Sequence, residues 1–155
     1  MNKKKSAERP IRIEQYMPYL LNRVAMRMIK GSKPRFADLK LTVPTWRILL
    51  TLSEHKACRF GELVKLTTIE PATLSRLTDQ LHRRGLVRRK TAPGDARSMV
   101  ISLSPAGADL YGRSVPFALD VQARLLDGVS EADVRVVRRA LVRMYENLEQ
   151  HGDKS

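Results

Sequence analysis

The sequence predicts a mostly α-helical fold with one small β-hairpin, and three observations carry that prediction. Successive segments repeat apolar residues at helical spacing. One stretch alone, residues 86–103, has two short strand-like runs joined across a Pro-Gly turn. Proline and glycine fall mostly where helices start and stop.

Taken in order, MNKKKSAERP reads as a basic flexible arm over residues 1–10, and the rest as a single domain over residues 11–150. Tyr16, Leu20, Val24 and Met28 mark a first helix from about Glu14 to Ile29, with Gly31 and Pro34 ending it. From Pro44 to about Glu54, Trp46, Ile48, Leu49, Leu50 and Leu52 cover most of the helix circumference. This second helix is therefore expected to be wrapped by the others. A short helix from Arg59 to about Leu66 turns Phe60, Leu63 and Val64 inward. Pro71 then opens a fourth helix that runs to Arg84 and stops at Gly85, a residue suited to a left-handed cap.

LVRRK and SMVISL are the two strands, joined across TAPGDAR. Ser104 caps a fifth helix with Pro105 in its first turn; it runs to about Leu126, and Pro116 is expected to kink it or break it near Val115. Ser130 and Asp133 resemble a capping box for the last helix, where Val134, Val137, Leu141, Met144 and Leu148 form one apolar stripe. That stripe suits either a helix of a second subunit or packing within its own.

Lysine and arginine number 29 against 16 aspartate and glutamate, a formal charge of +13, which attracts polyanions and nucleic acid first among them. No run of about 18 apolar residues suggests a membrane span, and the start lacks a signal peptide's apolar stretch, so a cytoplasmic location is expected. The single cysteine, Cys58, excludes an intramolecular disulfide, and no Cys/His spacing suits zinc. An aromatic content of 5% argues against an RNA-stacking platform. His55, His82 and His151 are scattered, no nucleophile–base arrangement or carboxylate pair stands out, and GSKPRF is not a phosphate loop. The expectation is a non-enzyme without metal or cofactor.

Two short helices joined by a tight turn, then a basic hairpin, make a winged helix-turn-helix over about residues 41–103. In its second helix Leu74, Leu77 and Leu81 share one face, and Ala72, Arg76, Asp79 and Arg83 the other. Small residues around an arginine let a helix approach base edges in a major groove, where arginine bonds guanine O6 and N7 together. Thr73 and Ser75 flank that arginine. At the hairpin tip Arg97 suits a minor groove, and Asp95 caps the turn or holds the guanidinium. Arg88, Arg89 and Lys90 on the stem would meet phosphates. The plain alternative is an amphipathic surface helix beside a solvated hairpin.

TLSRLTDQLHRRGLVRR at 73–89, GDARSMVISLSPAG at 94–107 and LTVPTWRILLTL at 41–52 resemble the MarR-type transcriptional regulators, and the resemblance extends from about Tyr16 to Leu148. It implies a homodimer with intertwined dimerisation helices at about 11–30 and 104–150. It also implies binding to a pseudo-palindromic double-stranded DNA site, most often as a repressor, and release by a small molecule. Thr73, Ser75 and Arg76 match the family's recognition helix, and Asp95 with Arg97 its wing. Position 45 departs: many relatives carry an acid before the Trp-Arg pair, and here it is Thr45.

In such proteins the first, second and fifth helices line the effector pocket. Here they supply Tyr16, Tyr19 and Arg23, then Trp46 and Arg47, then Tyr111 and Arg113, a lining suited to an aromatic carboxylic acid or its coenzyme A thioester unless Trp46 is simply core. Some relatives sense oxidants through a cysteine of the first helix; Cys58 stands elsewhere, though Lys56 and Arg59 would lower its pKa if it were exposed. The alternative function is a constitutive architectural DNA-binding or RNA-binding module without ligand control.

Overall fold

The computed structural model describes residues 11–92 and 95–152. After a 3-10 turn at Ile13–Gln15 come α1 (Met17–Asp38), α2 (Val43–His55), β1 (Ala57–Arg59), α3 (Phe60–Thr67) and α4 (Pro71–Arg83). The hairpin is β2 (Val87–Ala92) and β3 (Asp95–Leu103), followed by α5 (Pro105–Leu126) and α6 (Glu131–Gly152). Mostly helical architecture with a small antiparallel sheet is what the sequence predicts. The sheet has the order β1-β3-β2, and β1, which the sequence reading missed, pairs Cys58 with Ile101.

The chain divides into two compact units, one ending at Ala118 and the other beginning at Leu119. In the first, α2 is the centre as expected: Ile48, Leu49 and Leu52 are sealed among Leu63 of α3, Leu74 and Leu81 of α4, Ile101 of β3 and Leu110 of α5. Thr42 caps α2, accepting from the Thr45 amide at 3.3 Å, while Thr45 Oγ1 accepts from the Thr42 amide at 2.8 Å. The departure at position 45 thus has a structural role, closing a reciprocal cap from a buried site. The second unit holds the end of α5 and α6, whose Ser130 Oγ accepts from the Asp133 amide at 3.1 Å.

Two helix boundaries differ from expectation. Helix α1 does not stop near Ile29 but continues through Gly31 and Pro34 to Asp38. Its last turns bury Ser32 and Phe36, and the Phe36 ring lies 5.5 Å from that of Trp46, a tertiary gain that outweighs one lost backbone bond at Pro34. Helix α5 likewise does not break near Val115. Just before Pro116, buried Ser114 donates to Tyr111 O at 2.6 Å and accepts from Trp46 Nε1 at 3.0 Å, which anchors that turn.

The base of the hairpin is tightly closed. Gly85, at φ +69°, ends α4 as expected, with its amide on His82 O and the Leu86 amide on Leu81 O. Ser104 accepts from the Gly107 amide at 3.0 Å, as the expected cap of α5, and its hydroxyl donates to Gly85 O at 2.5 Å. A β-carbon on Gly107 would fall 1.9 Å from Leu86 O. Gly107→Ala is therefore expected to cost about 2 kcal/mol or more, because backbone must move. Gly112→Ala, where nothing lies within 4 Å, is expected to raise stability by about 0.5–1 kcal/mol through helix propensity. Urea unfolding of both variants checks the pair; equal stabilities would show that the close approach is relaxed in solution.

Candidate nucleic-acid interface

Helices α3 and α4 are joined by a short turn through Thr68, which takes the left-handed conformation at φ +52°. Pro71 begins α4 as expected, but its cap is Glu70, whose carboxylate accepts from the Ala72 amide at 3.0 Å and the Thr73 amide at 2.9 Å. Those two bonds hold the Glu70 carboxyl below the usual glutamate value. Beyond the cap, Leu74 and Leu81 are wholly buried and Leu77 half-buried, the inward face read from the sequence. Thr78 is also wholly buried, donating to Ser75 O at 2.9 Å. Ala72, Ser75, Arg76 and Arg83 are exposed, and Thr73 is half-buried. Small side chains thus surround Arg76 on an open helix face, the profile that lets a backbone approach base edges.

On β2, Arg88 and Lys90 are exposed and alternate with Arg89. Arg89 does not extend to solvent as a phosphate contact would; its guanidinium pairs with Asp79 of α4 and donates to Thr78 Oγ1 at 2.8 Å. The reason is strand alternation, which turns every second side chain toward the helix. The side chains of Asp95 and Arg97 lie outside the described residues, although their backbone belongs to β3.

The residues expected to line one effector pocket occupy separate places. Tyr19 and Arg23 border an open groove of about 820 Å³ along α1, with Met26, Lys30 and Lys33. Tyr16 is exposed ahead of α1. Trp46 packs tilted against the Phe36 ring and donates to Ser114, and Tyr111 packs against the core, so both have structural work. Arg47 donates to Thr67 O at 3.0 Å, at the end of α3. Arg113 lines a different cavity of about 400 Å³ beside Arg84 and Asp109.

On α6, Val137, Leu141 and Leu148 are exposed, while Val134 and Met144 are half-buried. Cys58 is buried in β1, and burial together with the nearby Glu62 charge pushes its thiol up rather than down. The exposure that would have let its basic neighbours lower that pKa is absent. Among the described residues no group of His, Cys, Asp and Glu could hold a metal ion, and no helix is long and apolar enough to cross a membrane.

A family model described as the MarR family matches residues 41–99. The chain is 29% identical over 143 residues to the organic hydroperoxide resistance transcriptional regulator of Bacillus subtilis (strain 168), covering 90% of this chain and 94% of that one. A MarR-family transcriptional regulator from Silicibacter pomeroyi superposes with a TM-score of 0.82 at 31% identity, covering 90% and 97% of the two chains. Bordetella bronchiseptica BpsR, whose DNA binding is regulated by 6-hydroxynicotinic acid, follows at a TM-score of 0.81 and 27% identity, covering 88% and 98%.

The cap on α4 has a pH signature. A carboxylate whose folded pKa is depressed supports the fold above its unfolded pKa and loses that support as pH falls through the lowered folded value. An NMR titration is expected to place the Glu70 carboxyl midpoint below the ordinary glutamate value, with the Ala72 and Thr73 amides moving at the same midpoint. A midpoint at the ordinary value would mean that the cap is open in solution.

Proposed function

The chain belongs to the MarR family of transcriptional regulators, and from that premise we propose that it reads a pseudo-palindromic operator as a homodimer, in the manner of a repressor, and releases it when a small anionic aromatic ligand binds. The observation that carries this reading is the open face of α4, where Ala72, Ser75 and Arg76 lie together while Leu74 and Leu81 are sealed in the core. In this reading α4 enters the major groove, Arg76 reads a base, and Thr73 and Ser75 contact bases or phosphates beside it. Arg83, Arg88 and Lys90 neutralise phosphates, and the tip carrying Asp95 and Arg97 reaches the neighbouring minor groove.

Within the single domain of residues 11–150, the winged part spans about 41–103, and the segments at about 11–30 and 104–150 hold two copies together. The exposed apolar residues of α6, and Met17, Leu21, Val24 and Met28 on α1, are the surface a second copy would cover. The effector reading rests on the α1 groove, where Tyr19 offers a ring face and Arg23, Lys30 and Lys33 offer positive charge. An aromatic carboxylate suits Tyr19 and Arg23; a coenzyme A thioester would add phosphates for the lysines. BpsR, regulated by an aromatic acid, supports that class.

Duplexes selected from a random pool by the purified protein test the regulator reading directly. On the selected site, Arg76→Ala is expected to cost about 1–3 kcal/mol and to relax preference at one position per half-site. An equal loss on selected and random duplex would make Arg76 a phosphate contact. For the effector, a panel of aromatic acids and their coenzyme A thioesters is expected to dissociate the complex, and Arg23→Ala to blunt that response without changing affinity for DNA. Dissociation by neutral or cationic compounds alone would defeat the charge argument.

A further inference from the structure

We infer that Arg89 is a positioning residue, a brace between β2 and α4 that sets the wing relative to the base-reading face of the helix. The inference rests on the regulator reading above and assigns Arg89 a task other than phosphate contact. Three features carry it. The two arms of one planar guanidinium engage consecutive residues of α4, the Asp79 carboxylate and Thr78 Oγ1 at 2.8 Å, so the fork restricts rotation of the helix as well as its distance from the strand. Thr78 passes the restraint on: its hydroxyl donates to Ser75 O at 2.9 Å, in the turn that carries Ser75 and Arg76. On its own strand Arg89 pairs with Ile101, itself fully buried, so the base from which it reaches is fixed.

The brace also accounts for Asp79. A carboxylate on a helix that faces a polyanion opposes binding, yet this one is held by an arginine that would otherwise add to the attraction. The two charges are paired with each other, and what the pair fixes is a geometry. A second tie, His82 Nδ1 to Val87 O at 3.1 Å, joins helix and strand nearer the hairpin base. Arg89 extends the restraint two residues further out along β2.

The two possible roles predict opposite signs. If Asp79 and Arg89 act only through charge, Asp79→Asn removes a repulsive group and tightens binding to every duplex. If they form a brace, Asp79→Asn weakens binding to the selected duplex by about tenfold, the scale of one charge-assisted hydrogen bond, and leaves random duplex unchanged or slightly tighter. Arg89→Lys keeps the charge but loses the fork, and is expected to lower selectivity while leaving the slope of affinity against salt unaltered.

Amide exchange in the DNA-free protein gives an independent readout, with faster exchange expected across residues 87–91 and 98–103 in both variants. Tighter binding of Asp79→Asn to both duplexes with unchanged hairpin exchange would overturn the brace. The wild type titrated with the same two duplexes tests the regulator reading separately. Equal affinities there would sink that reading, and the exchange data would still decide the brace.

Discussion

The rest of the first unit depends on the contact that Ser104 makes with Gly85 and Leu86. Four elements meet there: α4 ends, β2 begins, β3 ends and α5 begins. The Ser104 hydroxyl donates to Gly85 O and accepts from the Gly107 amide, and the Ser104 amide donates to Leu86 O at 3.0 Å. One residue thus closes the hairpin, caps a helix and satisfies the Gly85 and Leu86 carbonyls in the turn that follows α4. The contact works only because both sides are thin. Gly85 takes a left-handed turn that a side chain would resist, and Gly107 brings α5 against the Leu86 carbonyl without a β-carbon between them. A fault here would misplace helix and wing together.

The formal charge of +13 sets affinity for a polyanion, and its distribution sets what can be read. Several arginines are committed inside the protein. Arg47 binds the carbonyl of Thr67, Arg84 that of Lys40 at 2.7 Å, and Arg89 ties strand to helix. Arg76, Arg83 and Arg88 remain on open surface. A basic composition thus divides into cations that hold the scaffold and cations that face outward, and no count of charges separates the two.

The features legible in the sequence were those with local causes. Ser104 before Pro105, Pro71 opening α4, Gly85 closing it, and the leucine spacing of α4 all act within a turn or two, so their physics is written in adjacent residues. What escaped depends on distant partners. Helix α1 outruns Gly31 and Pro34 because Phe36 finds Trp46, and α5 passes Pro116 while Ser114 is held by Trp46. Strand β1 is too short to show a period, and Lys40, Lys56 and Thr68 take positive φ without the glycine that would have announced it. The engagement of Arg89 was hidden for the same reason: RRK on a strand gives alternation, but only the packed helix shows which arginine faces Asp79.

These restraints bear on how a ligand could control the protein. A ligand shifts an equilibrium only between arrangements it binds unequally, so it needs a coordinate that is cheap to move. Between α4 and the hairpin none is cheap: Thr78 is fully buried, the Ser104 hydroxyl both donates and accepts, and Gly107 leaves no slack against Leu86. Helix α4 and the base of the hairpin are therefore held together as one unit. If two copies read a two-fold site as proposed above, the soft coordinate is the separation of their two α4–hairpin units, and affinity would depend steeply on it because half-sites lie about 34–36 Å apart or at multiples of that spacing. In that reading control belongs on elements that hold two copies together rather than on those that touch DNA. In the proposed reading the effector would bind on α1, where charge and exposed apolar surface share one helix, leaving α4 free to be rigid.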